Sequence, residues 1–299
     1  MSRRHLAMLL ALAAVWGASF MFIKIGDRQL HPITLVGFRL ALGALTLVPI
    51  VLVRVGARRT LRELRAAAGP LIVTGLINSA IPIFAITWAE TRLDSGLTAI
   101  IQASAPLFAA LLALRFSHDE RVRGSRLAGL VVGFGGVALL VGGRPSGQIA
   151  AALAVVFSAV CYAAAALYAG RRLGGISPLV AALGTLTAAT LATLPIGLFQ
   201  LPSHMTGWKV TASVLTLGIA GTGVGYILYY ALIAGAGASR AILITYLVPT
   251  FAVVYGAVLL GEPVTTAAIG GLVLVLAGVG LGTGAVRLGR ARRIASSET

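Results

Sequence analysis

The chain contains its own near-copy. HPITLVGFRLALGALTLVPI begins at His31, and SPLVAALGTLTAATLATLPI begins at Ser177. Pro32 and Pro49 are 17 residues apart, as are Pro178 and Pro195. Further along, TAIIQASAPLFA from Thr98 aligns with AILITYLVPTFA from Ala241, and GLVVGFGGV from Gly129 with GLVLVLAGV from Gly271. The offset between copies drifts only from 146 to 142. A duplication of about 140 residues restricts the fold to one built from two like halves, here 1–143 and 144–299.

Hydropathy says what each half is made of. Hydrophobic residues are 58% of the 299 and charged residues 11%, too apolar for a water-soluble domain. Apolar runs recur at roughly 5–26, 33–54, 68–90, 94–116, 126–143, 148–169, 177–200, 210–233, 239–260 and 265–286. Each is long enough to cross a ~30 Å hydrocarbon core as a helix, and too long and evenly apolar for a barrel strand. The expected fold is an all-α polytopic membrane protein with ten transmembrane helices (spans 1–10). Five spans per half is an odd number, so the halves are expected to lie in opposite orientations, as two inverted five-helix repeats.

The net charge of +16 invites a nucleic-acid reading, and its distribution argues against one. With the N-terminus placed in the cytoplasm, eighteen Lys and Arg fall on that side, among them Arg58, Arg59, Arg171, Arg172 and the four arginines after Arg240. Four fall outside: Arg28, Arg92, Arg144 and Lys209. That asymmetry is the positive-inside pattern and predicts both termini in the cytoplasm, with basic loops facing anionic lipid.

MSRRH followed by an apolar stretch resembles a signal peptide. Cleavage after ALAA would leave too short an apolar region, and apolar sequence continues to Ile23, so an uncleaved first span is expected. Cys161 is the single cysteine, which excludes an internal disulfide. The four histidines lie at span ends or in loops, with no metal motif, no serine–histidine pair at membrane depth and no phosphate-binding loop. No enzymatic activity and no cofactor are expected.

Polar and aromatic residues in the middle of spans are the candidates for a substrate pathway. They are Trp16 and Ser19 in span 1, Asn78 in span 3 and Gln102 in span 4. The second half adds Tyr162 (the repeat mate of Trp16), Tyr226 and Tyr230 one turn apart in span 8, Thr245 (the mate of Gln102) and Tyr246. Each alone also fits an interhelical hydrogen bond, and Trp88 also fits an interfacial anchor. Helix breakers recur in register: Pro82 against Gly225, and Pro106 against Pro249. Proline removes a ladder bond, so these four positions are expected hinges. Glycines at 129/133, 278/282 and 280/284 predict close packing of spans 5 and 10 as scaffold within a monomer.

Two charges stand inside spans. For Arg39 three readings are open: pairing with Glu90, Asp27 or Asp94, binding a substrate carboxylate, or snorkelling to the surface. Lys24 is expected to snorkel. Glu262 and Asp119/Glu120 end equivalent spans on opposite sides, where capping or hinge contacts are expected.

Ten spans in two inverted halves, LALAAVWGASF in span 1, PLFAALLAL in span 4 and LVPTFAVVYGAVLLGEP across spans 9 and 10 together resemble the EamA-like ten-helix branch of the drug/metabolite transporter superfamily. The likeness runs the length of the chain, and Gly261-Glu262-Pro263 is its most specific local mark. The resemblance implies a bacterial inner-membrane exporter of small metabolites, often amino acids. The similar four-helix multidrug pumps depend on a glutamate in their first helix. Here span 1 holds no acid, so proton exchange for cationic drugs is not implied. Without a mid-membrane carboxylate, the aromatic and hydroxyl candidates suit an amphipathic or zwitterionic cargo. Export of other metabolites or lipophilic cations, or a gated channel, are the alternatives.

Overall fold

A computed structural model describes residues 2–116, 125–142, 145–241 and 243–282. The basic C-terminal tail, Gly284, Asp119 and Glu120 lie outside the described residues. Within them the chain is helical, joined by short turns.

In the first half, α1 (Arg3–Gly26) starts on Ser2, whose hydroxyl accepts the His5 N–H. α2 (Pro32–Val55) opens with proline at its first position, where no N–H is required. Gly56, at φ 87°, turns the chain into α3 (Ala57–Ala66), a short amphipathic helix in a segment expected to be a loop. Its sequence ARRTLRELRA is rich in good helix formers, with Thr60 and Glu63 buried and Arg58, Arg59 and Arg62 exposed. Span 3 comprises α4 (Ala68–Gly75), a π-helical stretch Leu76–Ala80, and α5 (Ile81–Glu90). Span 4 is broken into α6 (Ser95–Gln102) and α7 (Ala105–Phe116), and α8 (Ser125–Val141) is span 5.

The second half repeats the plan. α9 (Ser146–Arg172) and α10 (Pro178–Leu198) are followed by span 8, made of α11 (Trp208–Thr216), a longer π stretch Leu217–Val224, and α12 (Gly225–Ala236). A single turn, α13 (Ala238–Ala241), leads to α14 (Ile244–Tyr255), which ends in a third π stretch Gly256–Leu260. α15 (Thr266–Gly282) is span 10. Among the described residues seven helical stretches are long and apolar enough to cross a bilayer, and three shorter apolar helices complete the ten.

The packing carries the two-fold relation. α1 lies on α14 as α9 lies on α7, and α2 lies on the π stretch of span 8 as α10 lies on that of span 3. α2 and α10 pack against each other, as do α8 and α15. Close approach depends on glycine. A methyl group at Gly37 would stand 2.8 Å from the Leu194 backbone, and one at Gly197 2.9 Å from that of Thr34, whose hydroxyl donates to the Gly197 carbonyl at 2.9 Å. Gly129, Gly133 and Gly278 bring the α8 and α15 backbones into direct contact, so these glycine faces pack against each other within the chain.

One end of the bundle gathers the termini of α2 and α9 and the arginines of α3; the other holds Asp27, Glu90 and Glu262. The arginine-rich end is tied by Glu63, whose Oε2 accepts the Ser177 N–H at the start of α10 (2.8 Å) while Oε1 accepts from Arg59 Nε (2.6 Å).

Candidate functional site

The two π stretches of spans 3 and 8 set up the centre of the molecule. Pro82 has no N–H for the carbonyl four residues before it, Asn78, and the helix widens over Leu76–Ala80 just ahead of it. In span 8 the widened stretch Leu217–Val224 runs directly into Gly225, the repeat mate of Pro82. Such a stretch presents side chains that a regular helix would hold in its ladder register. Asn78 and Ser79 stand in the first, Thr222 (the mate of Ser79) in the second.

Arg39 reaches into this region from α2. Its Nε donates to Thr222 Oγ1 at 3.1 Å, and the Thr222 hydroxyl donates in turn to the Leu217 carbonyl at 2.9 Å. The approach is close because a methyl at Gly43 would lie 2.5 Å from Thr222 Cγ2, and one at Gly218 3.1 Å from the Arg39 carbonyl. Pairing with an acid, one of the three open readings, is not what forms. Among the described residues no carboxylate lies within ion-pair distance of Arg39, whereas Arg59 and Glu63 do pair at the arginine-rich end. Arg39 does not snorkel either, since its side chain is anchored across the helix interface.

Around it lies an aromatic and amide array. Asn78 Nδ2 donates to Tyr226 Oη at 3.3 Å and lies 3.5 Å from Ser79 Oγ. Ring centroids then run from Tyr226 to Tyr230 (6.2 Å), Tyr230 to Tyr229 (5.8 Å) and Tyr229 to Trp16 (5.4 Å). Trp16 Nε1 donates to the Gly221 carbonyl at 3.0 Å. Tyr162, Tyr226 and Glu90 are the ionisable groups within electrostatic reach of Arg39. Arg39, Tyr162 and Tyr226 are each half-buried and keep some accessible surface.

The other predicted residues have different surroundings. Ser19 Oγ turns back to the Val15 carbonyl at 3.1 Å and borders a cavity of about 200 Å³ with Phe22, Tyr255 and Gly221, the residue that Trp16 bonds. Gln102 is the last residue of α6, with its side-chain oxygen buried and without a protein partner. Thr245 and Tyr246 lie in the first turn of α14, and Tyr246 packs on the Leu97–Ile101 core. Pro106 sits just after the break at Ala103–Ser104, whereas Pro249 is inside a continuous α14, so these two mates are used differently. Tyr229 escaped the sequence reading although it joins Trp16 to Tyr230; the aromatic run YILYY from Tyr226 was the signal.

At the end opposite the arginines, Lys24 corrects another expectation. Rather than snorkelling, its ammonium donates to the carbonyls of Glu90 (2.5 Å) and Leu93 (2.7 Å), the C-terminal end of span 3 where a helix dipole favours a cation. The Glu90 carboxylate is fully buried and makes no hydrogen bond. Glu262 caps α6, as its place at a span end suggested. The Arg92 guanidinium lies 4.4 Å over the Trp88 ring. Among the described residues no three His, Cys, Asp or Glu gather as a metal site.

Known proteins resemble the chain along most of its length. A protein from Archaeoglobus fulgidus described as an uncharacterized transporter is 27% identical over 88% of this chain and 93% of its own. The uncharacterized inner membrane transporter YedA of Escherichia coli is 26% identical over 85% and 82% of the two chains. A probable amino-acid metabolite efflux pump of Salmonella typhimurium is 28% identical over 98% of this chain and 99% of its own. A solved crystal structure superimposes with a TM-score of 0.65 at 17% identity, covering 95% of this chain and 98% of that one, and so shares the fold. The EamA-like transporter family model matches twice, over residues 4–142 and 149–283. Two matches spanning nearly all of a ten-helix bundle leave one conclusion: this chain is a multi-pass membrane protein belonging to the EamA-like transporter family.

Proposed function

We propose that the protein exports small amphipathic metabolites, amino acids foremost, by alternating access through the cleft between its halves. The observation that carries this reading is the exchange of contacts between repeats, with π stretches at matching places in spans 3 and 8. Two halves that make mirrored contacts can exchange conformations, converting a state open at one end into a state open at the other. Residues 1–143 and 144–299 act as those halves, and the monomer is the working unit. The aromatic array supplies apolar wall, and Asn78, Tyr226 and Trp16 orient a polar end. The Salmonella relative's name points to amino-acid metabolites.

The arginine-rich end faces the cytoplasm in this reading, following the positive-inside pattern, and the membrane is the bacterial inner membrane. Cysteine introduced at Arg58 is then labelled only from the cytoplasmic side. The deciding experiment is uptake into proteoliposomes from a panel of labelled amino acids and lipophilic cations, with and without a pH gradient. Saturable counterflow of amino acids is expected. Flux that neither saturates nor shows counterflow would make the protein a channel.

A further inference from the structure

We infer that Arg39 is a carboxylate clamp, and that the cargo is recognised by a carboxylate seated on its two terminal amino groups. This deepens the transport reading above and rests on it for the location of the cleft.

The guanidinium is held by one of its three nitrogens. Nε donates to Thr222 Oγ1 at 3.1 Å, and Thr222 spends its own proton on the Leu217 carbonyl at 2.9 Å. The threonine oxygen is thereby oriented to accept, and the plane of the guanidinium is set. Among the described residues no protein group hydrogen-bonds the remaining two nitrogens, and no carboxylate lies within ion-pair distance. Arg39 nevertheless stands two turns inside α2, half-buried, with part of its surface accessible.

A cation at that depth needs an anion or water. Glu90, the acid within its electrostatic reach, forms no ion pair or hydrogen bond with it: the bond from Lys24 goes to the Glu90 backbone carbonyl, and the Glu90 carboxyl has no hydrogen-bond partner. Two amino groups in a fixed plane match the two oxygens of a carboxylate, the bidentate arrangement in which arginine differs from lysine. Tyr162 and Tyr226 flank the charge, and Asn78 bonds Tyr226, so apolar and amide surface lies beside the anion site for the remainder of the cargo. The position is asymmetric: the repeat mate of Arg39 is Thr185, whose hydroxyl bonds only its own helix, at the Ala181 and Ala182 carbonyls. One carboxylate per bundle follows, rather than two equivalent sites.

The test measures binding apart from transport. Purified full-length protein is titrated with L-leucine, L-phenylalanine and phenylacetate, each beside its carboxamide, and with inorganic phosphate, following thermal stabilisation. The same probes compete for counterflow in proteoliposomes. Carboxylates should bind at least about tenfold more tightly than their amides, and R39Q should erase that preference. R39K keeps the charge but loses the Thr222 anchor and should retain only part of it. T222V keeps arginine but frees its plane, and should weaken carboxylates several-fold while leaving amides unchanged. If no carboxylate outranks its amide in the wild type, if R39Q keeps the preference, or if phosphate binds as tightly, the clamp is wrong whatever is transported. Arg39-dependent carboxylate binding without counterflow would instead keep the clamp and overturn the transport reading.

Discussion

Glu262 holds the first turn of α6 at Ser95 with both carboxylate oxygens. Oε1 accepts the Ser95 N–H at 2.9 Å, while Oε2 accepts the Ser95 hydroxyl at 2.8 Å and the Gly96 N–H at 3.2 Å. The cap comes from 167 residues away, because the local N-cap position, Asp94, makes no side-chain cap bond. Glu262 follows span 9 and Ser95 begins span 4, so the contact ties the two halves together at the end opposite the arginines. In this structure that end is latched.

Removing the latch should open that end. Hydrogen bonds to a charged group contribute about 1.5–3 kcal/mol each. Glu262→Ala, which deletes three, is expected to shift the population toward the open arrangement roughly tenfold or more. Spin labels at Arg92 and Val264, both exposed, read the separation directly. An unchanged distance distribution in the variant would mean that Glu262 caps a helix and nothing else.

The arginine-rich end has its own acid contact, and it carries a pH dependence. The hydrogen bond from Arg59, then that from the Ser177 N–H, hold the Glu63 carboxyl below its ordinary value of 4.5. A lowered folded value means the contact contributes fully above the ordinary carboxylate range and fades as pH falls through the depressed value. Thermal stability is therefore expected to be flat from neutral pH to about pH 5 for this group and to decline below. Glu63→Gln should be less stable at neutral pH and lose part of that acid limb. Identical acid limbs in the two proteins would remove Glu63 from the account.

Glycines at the repeat interface should tolerate no side chain. A methyl at Gly75 would stand 2.6 Å from the Thr185 carbonyl oxygen, the mirror image of Gly218 beside the Arg39 carbonyl. Overpacking of this kind costs about 1–3 kcal/mol. Gly75→Ala should lower the melting temperature in detergent, while Gly69→Ala, where a methyl meets nothing within 4 Å, should not. Equal melting points would show that α4 and α10 can move apart freely.

Much of this was legible in the residues, and what was not has a physical reason. Pairs such as Pro32/Pro178 and Pro82/Gly225 are local patterns that survive duplication, so span number and repeat could be read directly, and with them three of the four break positions, Pro249 being the exception. Asn78 and Tyr226, which bond each other in the structure, stood out as candidates because a polar group at mid-span is costly unless it is used. The partner of Arg39 could not be found that way, since Thr222 is 183 residues distant and meets it only because Gly43 and Gly218 let the helices touch. The π stretches are equally silent: one extra residue per turn leaves hydropathy unchanged. Lys24 was misread because hydropathy cannot show that the span 3 carbonyls end beside it.

The Asn78–Tyr226 contact joins the π stretch of span 3 to α12. Tyr226→Phe removes one acceptor, and Asn78→Ala removes its donor. Each is expected to lower transport several-fold, about 1 kcal/mol, at normal abundance. The double variant should be little worse than either single, as befits two ends of one bond. Additive losses would mean that each residue touches the cargo separately.

The last expectation concerns how the spans bend. Pro82 and Gly225 each follow a π stretch, and Pro106 follows the open step at Ala103–Ser104, so three of the four breaker positions already interrupt a regular helix. Pro249 does not; α14 continues through it from Ile244 to Tyr255. The inverted mate of a broken α6–α7 is thus a continuous α14, and the proposed alternating access asks the two to exchange these shapes. Pro106→Ala supplies an N–H that can bond the Gln102 carbonyl and favours a straight span 4. Pro249→Ala strengthens a helix that must break in the opposite state. Both should slow turnover more than they weaken binding, because each favours one shape of its span over the other without touching the cleft. Opposite shifts are expected in the resting state: labels across the arginine-rich end and across the Glu262 end should move in contrary directions in the two variants. Wild-type exchange rates in both, or two ends that open together, would show the kinks to be static features of a channel.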